Sequence, residues 1–500
     1  MRKIKYIIGS CVLFTLIGFS SSAAVAQTTT SNIEGTVTDA NGAVVAGATV
    51  KASGTTLATE RTVTSDAEGF YRLTALPAGT YTVTISQTGF AVSTSNIELT
   101  LNRVATFDVQ LQVGSGVGGV VTVTNELPLL EPNASSTGTT VTPQQIRDLP
   151  VNGREYLDLL QLVPGVAINR QATDADEANP VLGERSGNNN FFIDGQPNKD
   201  TVNGGAAAQF NQETIAEFQV LTTGYKAEFG QASGAIINVI TKSGGNGFHG
   251  VGSFFHRNEA FDAVNSLDET LTDAPHLRRF DYSLAVGGPI IKDRIFFFGS
   301  SERITENRVI DFNYPNLGTT PGAIQVDRLL RAQESPFENP ARSREIRNFF
   351  KLNEQFGRHQ LVQEVNYTNG NVRDAGAAGL PSTRNNSSAR RLLLAFGDTI
   401  LLGKQSNPFI VTLRAAYRGE PSATGPAHPE VGAFTRANLF TRQNCPAPCG
   451  AIFGDLPQVF FGNSVTASFL NQKYTSFGAN ANKLFGDHDV KFGYNFLRTK

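Results

Sequence analysis

From residue 244 onward the sequence alternates between two kinds of side chain, and this constrains the fold more than any other feature. Phe280, Tyr282, Leu284 and Val286 are interleaved with Asp281, Ser283, Ala285 and Gly287. Phe409, Val411, Leu413, Ala415 and Tyr417 are interleaved with Ile410, Thr412, Arg414, Ala416 and Arg418. Val490, Phe492, Tyr494 and Phe496 alternate with Asp489, Lys491, Gly493 and Asn495. Successive side chains of a strand point to opposite faces, so each segment predicts a strand with one large apolar face. The pattern predicts roughly nine strands between 247 and 500. A soluble half-buried sheet carries the same alternation, so the period alone does not say which face meets water.

The connections sharpen this. Lys292-Asp293, Gly357-Arg358 and Gly486-Asp487 read as short turns, whereas Asp262–His276, Asp311–Pro340 and Gly419–Phe453 read as long polar loops. Short turns alternating with long loops, with aromatics near strand ends, fit a transmembrane barrel. Trp is absent, so Phe and Tyr would have to supply the interfacial belts.

The N-terminus predicts export. Arg2, Lys3 and Lys5 precede an apolar run from Tyr6 to Phe19, and Ala24-Val25-Ala26 is a small-residue cleavage signal with Gln27 as the new N-terminus. These are the parts of a secretory signal peptide. Cys11 sits too early in the apolar run, after Ile8-Gly9-Ser10, to read as a lipoprotein site. The remaining pair, Cys445 and Cys449 in CPAPC, is expected to close a small loop disulfide in an oxidising compartment.

Charge divides the exported chain. Residues 27–243 carry a net charge of −10 and residues 244–500 one of +5. The whole chain, at −2, is too balanced for a nucleic-acid binder. Gly114 to Gly119 (GSGVGG) is a flexible break inside the acidic half.

Residues 27–113 read as a β-sandwich. Ile33–Thr38 alternates, Asn41-Gly42 is a hairpin-turn signal, and Val45–Val50 is the next strand. Thr62–Thr64 and Phe70–Leu73 flank a turn at Asp66–Gly69. Tyr81, Val83 and Ile85 share one face, and Leu99–Leu111 closes the set. The stretches IEGTVTDANGAVVAGATVKA and TVTSDAEGFYRLTALPAGTYTVTISQTGF resemble the carboxypeptidase regulatory-like domain. The resemblance implies an Ig-like, carbohydrate-binding-like sandwich without catalysis, acting as a spacer or as a binder of a glycan or partner.

Residues 136–243 read as a mixed α+β region. Thr142-Pro143-Gln144-Gln145 is a helix start, with Thr as N-cap, Pro at N1 and Gln at N3. A second short helix is expected after Asn152, with Tyr156, Leu159, Leu160 and Val163 on one side. Phe191–Gly195 is a strand running into a turn, Thr214–Phe218 a short helix, and Gly234–Thr241 a buried strand. The segments LPVNGREYLDLLQLVPGV, FFIDGQPN and ETIAEFQVLTTGYKAEFGQASGAIINVITKSGGN, followed by GFHGVGSFF, resemble the plug of TonB-dependent outer-membrane receptors and its junction with the barrel. They are most similar to the Oar-like receptors, which carry a regulatory-like sandwich in front.

The resemblance implies a mainly β chain: signal peptide 1–26, Ig-like sandwich 27–113, linker 114–135, α+β plug 136–243, and part of a transmembrane antiparallel β-barrel over 244–500. A family barrel has about 22 strands, so the expectation is a truncated barrel from a longer polypeptide. The resemblance also implies an outer-membrane location, in contact with lipid and lipopolysaccharide. The implied partners are a TonB-like energy-transducing protein of the inner membrane and a nutrient ligand. Siderophore, cobalamin, oligosaccharide and peptide receptors share the architecture. Val120-Val121-Thr122-Val123-Thr124 is the candidate TonB box, the segment that pairs as an added strand with the energy transducer. A last sandwich strand, or plain linker, is the competing reading of the same residues. A surface adhesin or carbohydrate-binding protein without transport is the competing function.

Enzyme chemistry finds no constellation. The six His are scattered, with no H-E-x-x-H and no Cys/His cluster. Asp174-Ala175-Asp176-Glu177 lacks the Gly and later Glu of a calcium loop. No G-x-S-x-G, P-loop or dinucleotide fingerprint occurs. The expectation is a non-enzyme without a cofactor.

Overall fold

The computed structural model describes residues 31–500 apart from several segments, the longest being 123–135, 168–178, 264–273, 309–327 and 435–460. The signal peptide with its Ala26/Gln27 cleavage point, Cys445, Cys449 and the Asp174–Glu177 cluster all lie outside the described residues.

The first unit is a two-sheet sandwich. Its strands are β1 (Ser31–Asp39), β2 (Thr49–Gly54), β3 (Arg61–Thr64), β4 (Phe70–Leu76), β5 (Gly79–Ser86), β6 (Val92–Leu99), β7 (Val104–Thr106) and β8 (Val109–Leu111). One sheet runs β4-β1-β7 with β8 also on β1; the other runs β3-β2-β5-β6 and ends on β9 (Val120–Thr122). Ile33, Val37, Val50, Tyr71, Leu73, Tyr81, Val83 and Ile85 fill the space between them. Alternation along β5 puts Tyr81, Val83 and Ile85 inside, as the sequence predicts. One expectation holds and one changes. Asn41-Gly42 makes the expected tight turn: Gly42 has a positive φ, the Asp39 N–H donates to the Ala43 carbonyl at 2.8 Å, and the Val45 N–H donates to the Val37 carbonyl at 2.8 Å, although this pairing stops at the Thr38–Val44 bridge and β2 lies in the other sheet. Leu99–Leu111 is not one strand: β6 ends at Leu99, and the chain crosses to pair β7 and β8 in parallel with β1. The second is a tertiary choice, since either sheet could have accepted these short β-prone segments.

The plug is a five-stranded sheet in the order β10-β13-β14-β11-β12. Its strands are β10 (Thr137–Val141), β11 (Asn190–Ile193), β12 (Gln196–Pro197), β13 (Ile215–Thr223) and β14 (Ile236–Thr241). Helix α1 (Pro143–Asp148) has the expected capping box, Thr142 and Gln145 bonding each other's backbone N–H, and Pro143 in the first turn. The second helix differs. It is a 3₁₀ segment, Tyr156–Leu162, whose N-cap is Glu155 without a side-chain cap bond. Its inward residues Tyr156, Leu159, Leu160 and Val163 are nevertheless all buried. Thr214–Phe218 is not a helix: after a turn at Gln212–Thr214 the chain enters β13. Five residues are too few to nucleate a helix, and pairing with both β10 and β14 supplies a full ladder instead.

The third unit is a single meander of nine antiparallel strands, each paired with its neighbour. They are β15 (His249–Asn258), β16 (Leu277–Ile291), β17 (Ile295–Arg308), β18 (Ala341–Phe356), β19 (His359–Ala375), β20 (Asn385–Leu402), β21 (Phe409–Pro426), β24 (Ser468–Phe485) and β25 (His488–Thr499). A two-stranded pair, β22 (Ala433–Phe434) and β23 (Phe461–Gly462), sits in the long β21–β24 connection. The expected loop from Gly419 starts later, because β21 runs on to Pro426 in register with β20 and β24.

The phase of the alternation identifies the solvent. On β16, Tyr282 and Leu284 are 50% and 59% exposed, whereas Asp281 is 2% exposed. On β24, Phe477 is exposed while Ser476 and Asn480 are buried. On β21, Tyr417 is exposed while Thr412, Arg414, Arg418 and Glu420 are buried. Apolar outside and polar inside is the arrangement of a barrel wall facing lipid, and it reverses that of a soluble sheet. Among the described residues no helix is long and apolar enough to cross a membrane, which leaves strand crossing untouched.

Candidate functional site at the plug–barrel seam

The polar inner face of the barrel sheet meets the plug. Three carboxylates of the plug each find a cation on the barrel. Glu155, just before the 3₁₀ segment, lies 2.7 Å from the Arg347 guanidinium on β18, which also reaches Glu345 at 2.7 Å and Glu302 on β17 at 3.3 Å. Asp194 lies 3.2 Å from Lys351, which is also 3.2 Å from Glu364 on β19. Glu228 lies 2.6 Å from Lys491 on β25.

Local structure fixes Asp194. Asp194 and Gly195 form the turn between β11 and β12, both with positive φ (47° and 75°), as a tight hairpin requires. Asp194 accepts from the Thr241 backbone N–H and hydroxyl, which ties the turn to the end of β14. Lys351 donates to the same hydroxyl at 3.0 Å. Gly195 has a second reason to lack a side chain. A Cβ there would stand 2.8 Å from the Arg414 guanidinium carbon, so the turn seats flush against the wall.

The rest of the seam is also polar. Arg418 donates to the Lys199 carbonyl at 2.8 Å and stacks over the Tyr474 ring at 4.6 Å. Asn211 donates to Ser283 at 2.5 Å, the Thr214 and Ser300 hydroxyls are 2.7 Å apart, and Asn366 donates to the Gln209 carbonyl at 3.2 Å. An apolar patch interrupts this: Ala285, Phe298 and Phe349 of the barrel sheet join the plug's buried apolar cluster, where Phe210 packs edge-on against Phe349 at 5.9 Å and against Tyr156 at 6.2 Å. Within the plug, Arg154 pairs with Glu213 at 2.7 Å and covers the Phe255 ring of β15 at 4.2 Å. Burial pushes the Tyr156 phenol well above its usual range, so it stays neutral, and burial lowers the Lys242 ammonium at the end of the plug.

Such a seam holds without gluing. Exchangeable hydrogen bonds and ion pairs can be re-made with water when the surfaces part, whereas an extensive apolar interface would resist separation through its whole area.

Of the candidate TonB box, Val120–Thr122 form β9, paired in parallel with β6 (Val92 with Val120, Ser93 with Val121, Thr94 with Thr122). Val123 and Thr124 lie outside the described residues. The strand ends its sheet, so one edge of it is not taken up by that sheet. Residues 120–122 are thus both the sequence candidate for the box and a terminal sandwich strand. The seam cations Arg347, Lys351 and Lys491 were not singled out from the sequence. Their signal was the opposite net charge of the two halves, together with cations at positions on the small/polar face of alternating strands. Among the described residues no cluster of His, Cys, Asp and Glu is placed to hold a metal.

Comparison with known proteins agrees with this architecture. Residues 32–112 match the carboxypeptidase regulatory-like domain, residues 132–236 the TonB-dependent receptor plug domain, and residues 240–348 an outer membrane β-barrel domain. The chain is 31% identical over 294 residues to the TonB-dependent transporter Oar of Myxococcus xanthus, covering 55% of this chain and 27% of that protein. Its fold is similar to that of the outer membrane transporter YddB from Escherichia coli, with a TM-score of 0.54 at 13% identity, over 72% of this chain and 48% of the other. The alcaligin outer-membrane receptor FauA from Bordetella pertussis is similar at a TM-score of 0.45 and 12% identity, over 74% of this chain and 56% of that one. The chain thus spans about a quarter of the length of the curated relative and about half that of the solved structures.

Proposed function

Because the chain belongs to the TonB-dependent receptors of the outer membrane, we propose that it takes part in capturing a nutrient ligand and admitting it when a TonB-like protein displaces the plug. In this reading the sandwich and plug stand on the periplasmic side and the long loops face outward, in contact with lipopolysaccharide. The work is binding and gating, without covalent chemistry. Carbohydrate is among the ligand classes that the sandwich fold suits.

The observation that carries the proposal is the polar seam. A plug held by Glu155–Arg347, Asp194–Lys351 and Glu228–Lys491 can leave the wall and return to one register. The force enters upstream of β10, through 120–124. A partner strand would add to the edge of β9 that the sandwich sheet leaves open, or would take β9 from β6.

The test is a pair of measurements on the Val121→Pro, Val123→Pro double variant. Proline removes the backbone donors a partner strand needs. Pull-down of the chain by the periplasmic domain of the host's TonB-like protein should be lost. Energy-dependent uptake in cells should fail while ligand still binds at the surface. Retained pull-down or unchanged uptake would sink the assignment of 120–124.

A further inference from the structure

The strongest unassigned feature lies away from the seam. A cavity of about 260 Å³ opens between the sandwich and the turn end of the barrel sheet. Arg61, Val63 and Leu73 line it from β3 and β4, and Gly357, Arg358 and Leu401 line it from the β18–β19 and β20–β21 ends. It therefore has a wall from each unit and an arginine from each, Arg61 half-buried and Arg358 exposed.

Arg61 is the unusual member. Its Nε is buried and has no hydrogen-bond partner among the described residues. Burial lowers its pKa from the ordinary arginine value; the Tyr81 phenol acts weakly the other way, and no carboxylate is among the charges bearing on it. The seam cations are different, since the buried Arg347 and Lys351 and the half-buried Lys491 each meet carboxylates of this chain. An arginine does not shed its proton in a protein, so this half-buried guanidinium, with its Nε buried and unpaired and no carboxylate bearing on it, favours an external anion. Arg358 follows the positive-φ Gly357 in the turn and borders the same space. Two arginines bordering one small cavity can supply planar donor forks to a tetrahedral oxyanion.

We propose that this cavity is a phosphate site, filled by the phosphodiester headgroup of an anionic phospholipid or by free phosphate, and that the bound anion ties the sandwich to the barrel rim. The lipid source follows from position, because the turn end is where the barrel strands leave the bilayer. The site is independent of the uptake reading and of the TonB box.

The experiment uses the full chain purified in detergent. Inorganic phosphate is titrated calorimetrically, and retained phosphatidylglycerol is detected by native mass spectrometry, for the wild type, Arg61→Gln, Arg358→Gln and the double variant. Each single substitution should weaken binding by about ten-fold, as expected for loss of a charged hydrogen-bond donor. Arg61→Lys, which keeps the charge, should retain part of it. Heat-modified gel migration and the sandwich's circular dichroism confirm that each variant is folded. Binding of phosphate alone assigns the free anion. Retention of phosphatidylglycerol without phosphate binding assigns the headgroup. Binding of both supports the shared site. A folded wild type that binds neither overturns the proposal, as does a folded double variant that binds as well as the wild type.

Discussion

The sandwich and the barrel sheet use the same two-residue period in opposite senses. Along β5, Tyr81, Val83 and Ile85 are wholly buried and the threonines between them look outward. Along β16, Tyr282, Leu284 and Val286 look outward and Asp281, Ser283 and Ala285 are buried. The period belongs to the strand; its phase belongs to the medium on each side. In the sandwich the inner face is an apolar core between two sheets. In the barrel the apolar face meets lipid and the inner face meets a polar plug, so each charge turned inward has to find a partner there.

The comparison is broken most strongly at the seam. Arg347→Met strands Glu302, 1% exposed, without its cation, and should cost about 3–5 kcal/mol, read as a lower denaturant midpoint of the refolded chain in detergent. Adding Glu302→Gln should recover part of that loss. If it recovers none, Arg347 acts through packing instead.

The sandwich should respond to the opposite kind of change. Tyr81→Ala empties its core and removes the hydroxyl bond to the Pro77 carbonyl, for about 3–5 kcal/mol in the thermal unfolding of that unit. Barrel migration on gels should be unaffected. A concerted loss of both would mean that the two units unfold as one.

A cation on the outer face sharpens the contrast further. Leu284→Arg should cost about 2–4 kcal/mol if that position lies near the bilayer midplane, measured by folding into lipid vesicles. The same substitution on a soluble sheet's exposed face would be nearly silent, so a null result would contradict the lipid-facing assignment.

Two smaller effects probe local geometry. Gly195→Ala meets both a positive φ and the Arg414 guanidinium, and should cost about 1 kcal/mol or more, accompanied by a looser plug in hydrogen exchange. Thr142→Ala removes the cap of α1 for about 1 kcal/mol, and protection should fall at Ile146 while the barrel strands stay unchanged.

Much of the fold was legible because local rules sufficed. The α1 start needed only Thr142, Pro143 and Gln145, and the Asp194-Gly195 turn only two residues that tolerate positive φ. The nine long strands follow from alternation sustained over ten residues or more. The failures share one cause. Thr214–Phe218 and Leu99–Leu111 are segments whose state depends on which distant strand accepts their backbone. The site was the least legible. Glu155 and Arg347 are far apart in sequence, and nothing near either predicts the other.

By itself, the sequence determined the order of sandwich, plug and barrel strands, the period of each strand, the caps and turns, and an acidic half followed by a basic one. Each is a property of neighbouring residues or of bulk charge. Only the tertiary structure decided which face of the barrel strands is wet, which plug acid meets which barrel cation, and that Val120–Thr122 lies along β6. Those outcomes depend on desolvation and backbone pairing between segments remote in the chain, and these take effect only once the surfaces are brought together.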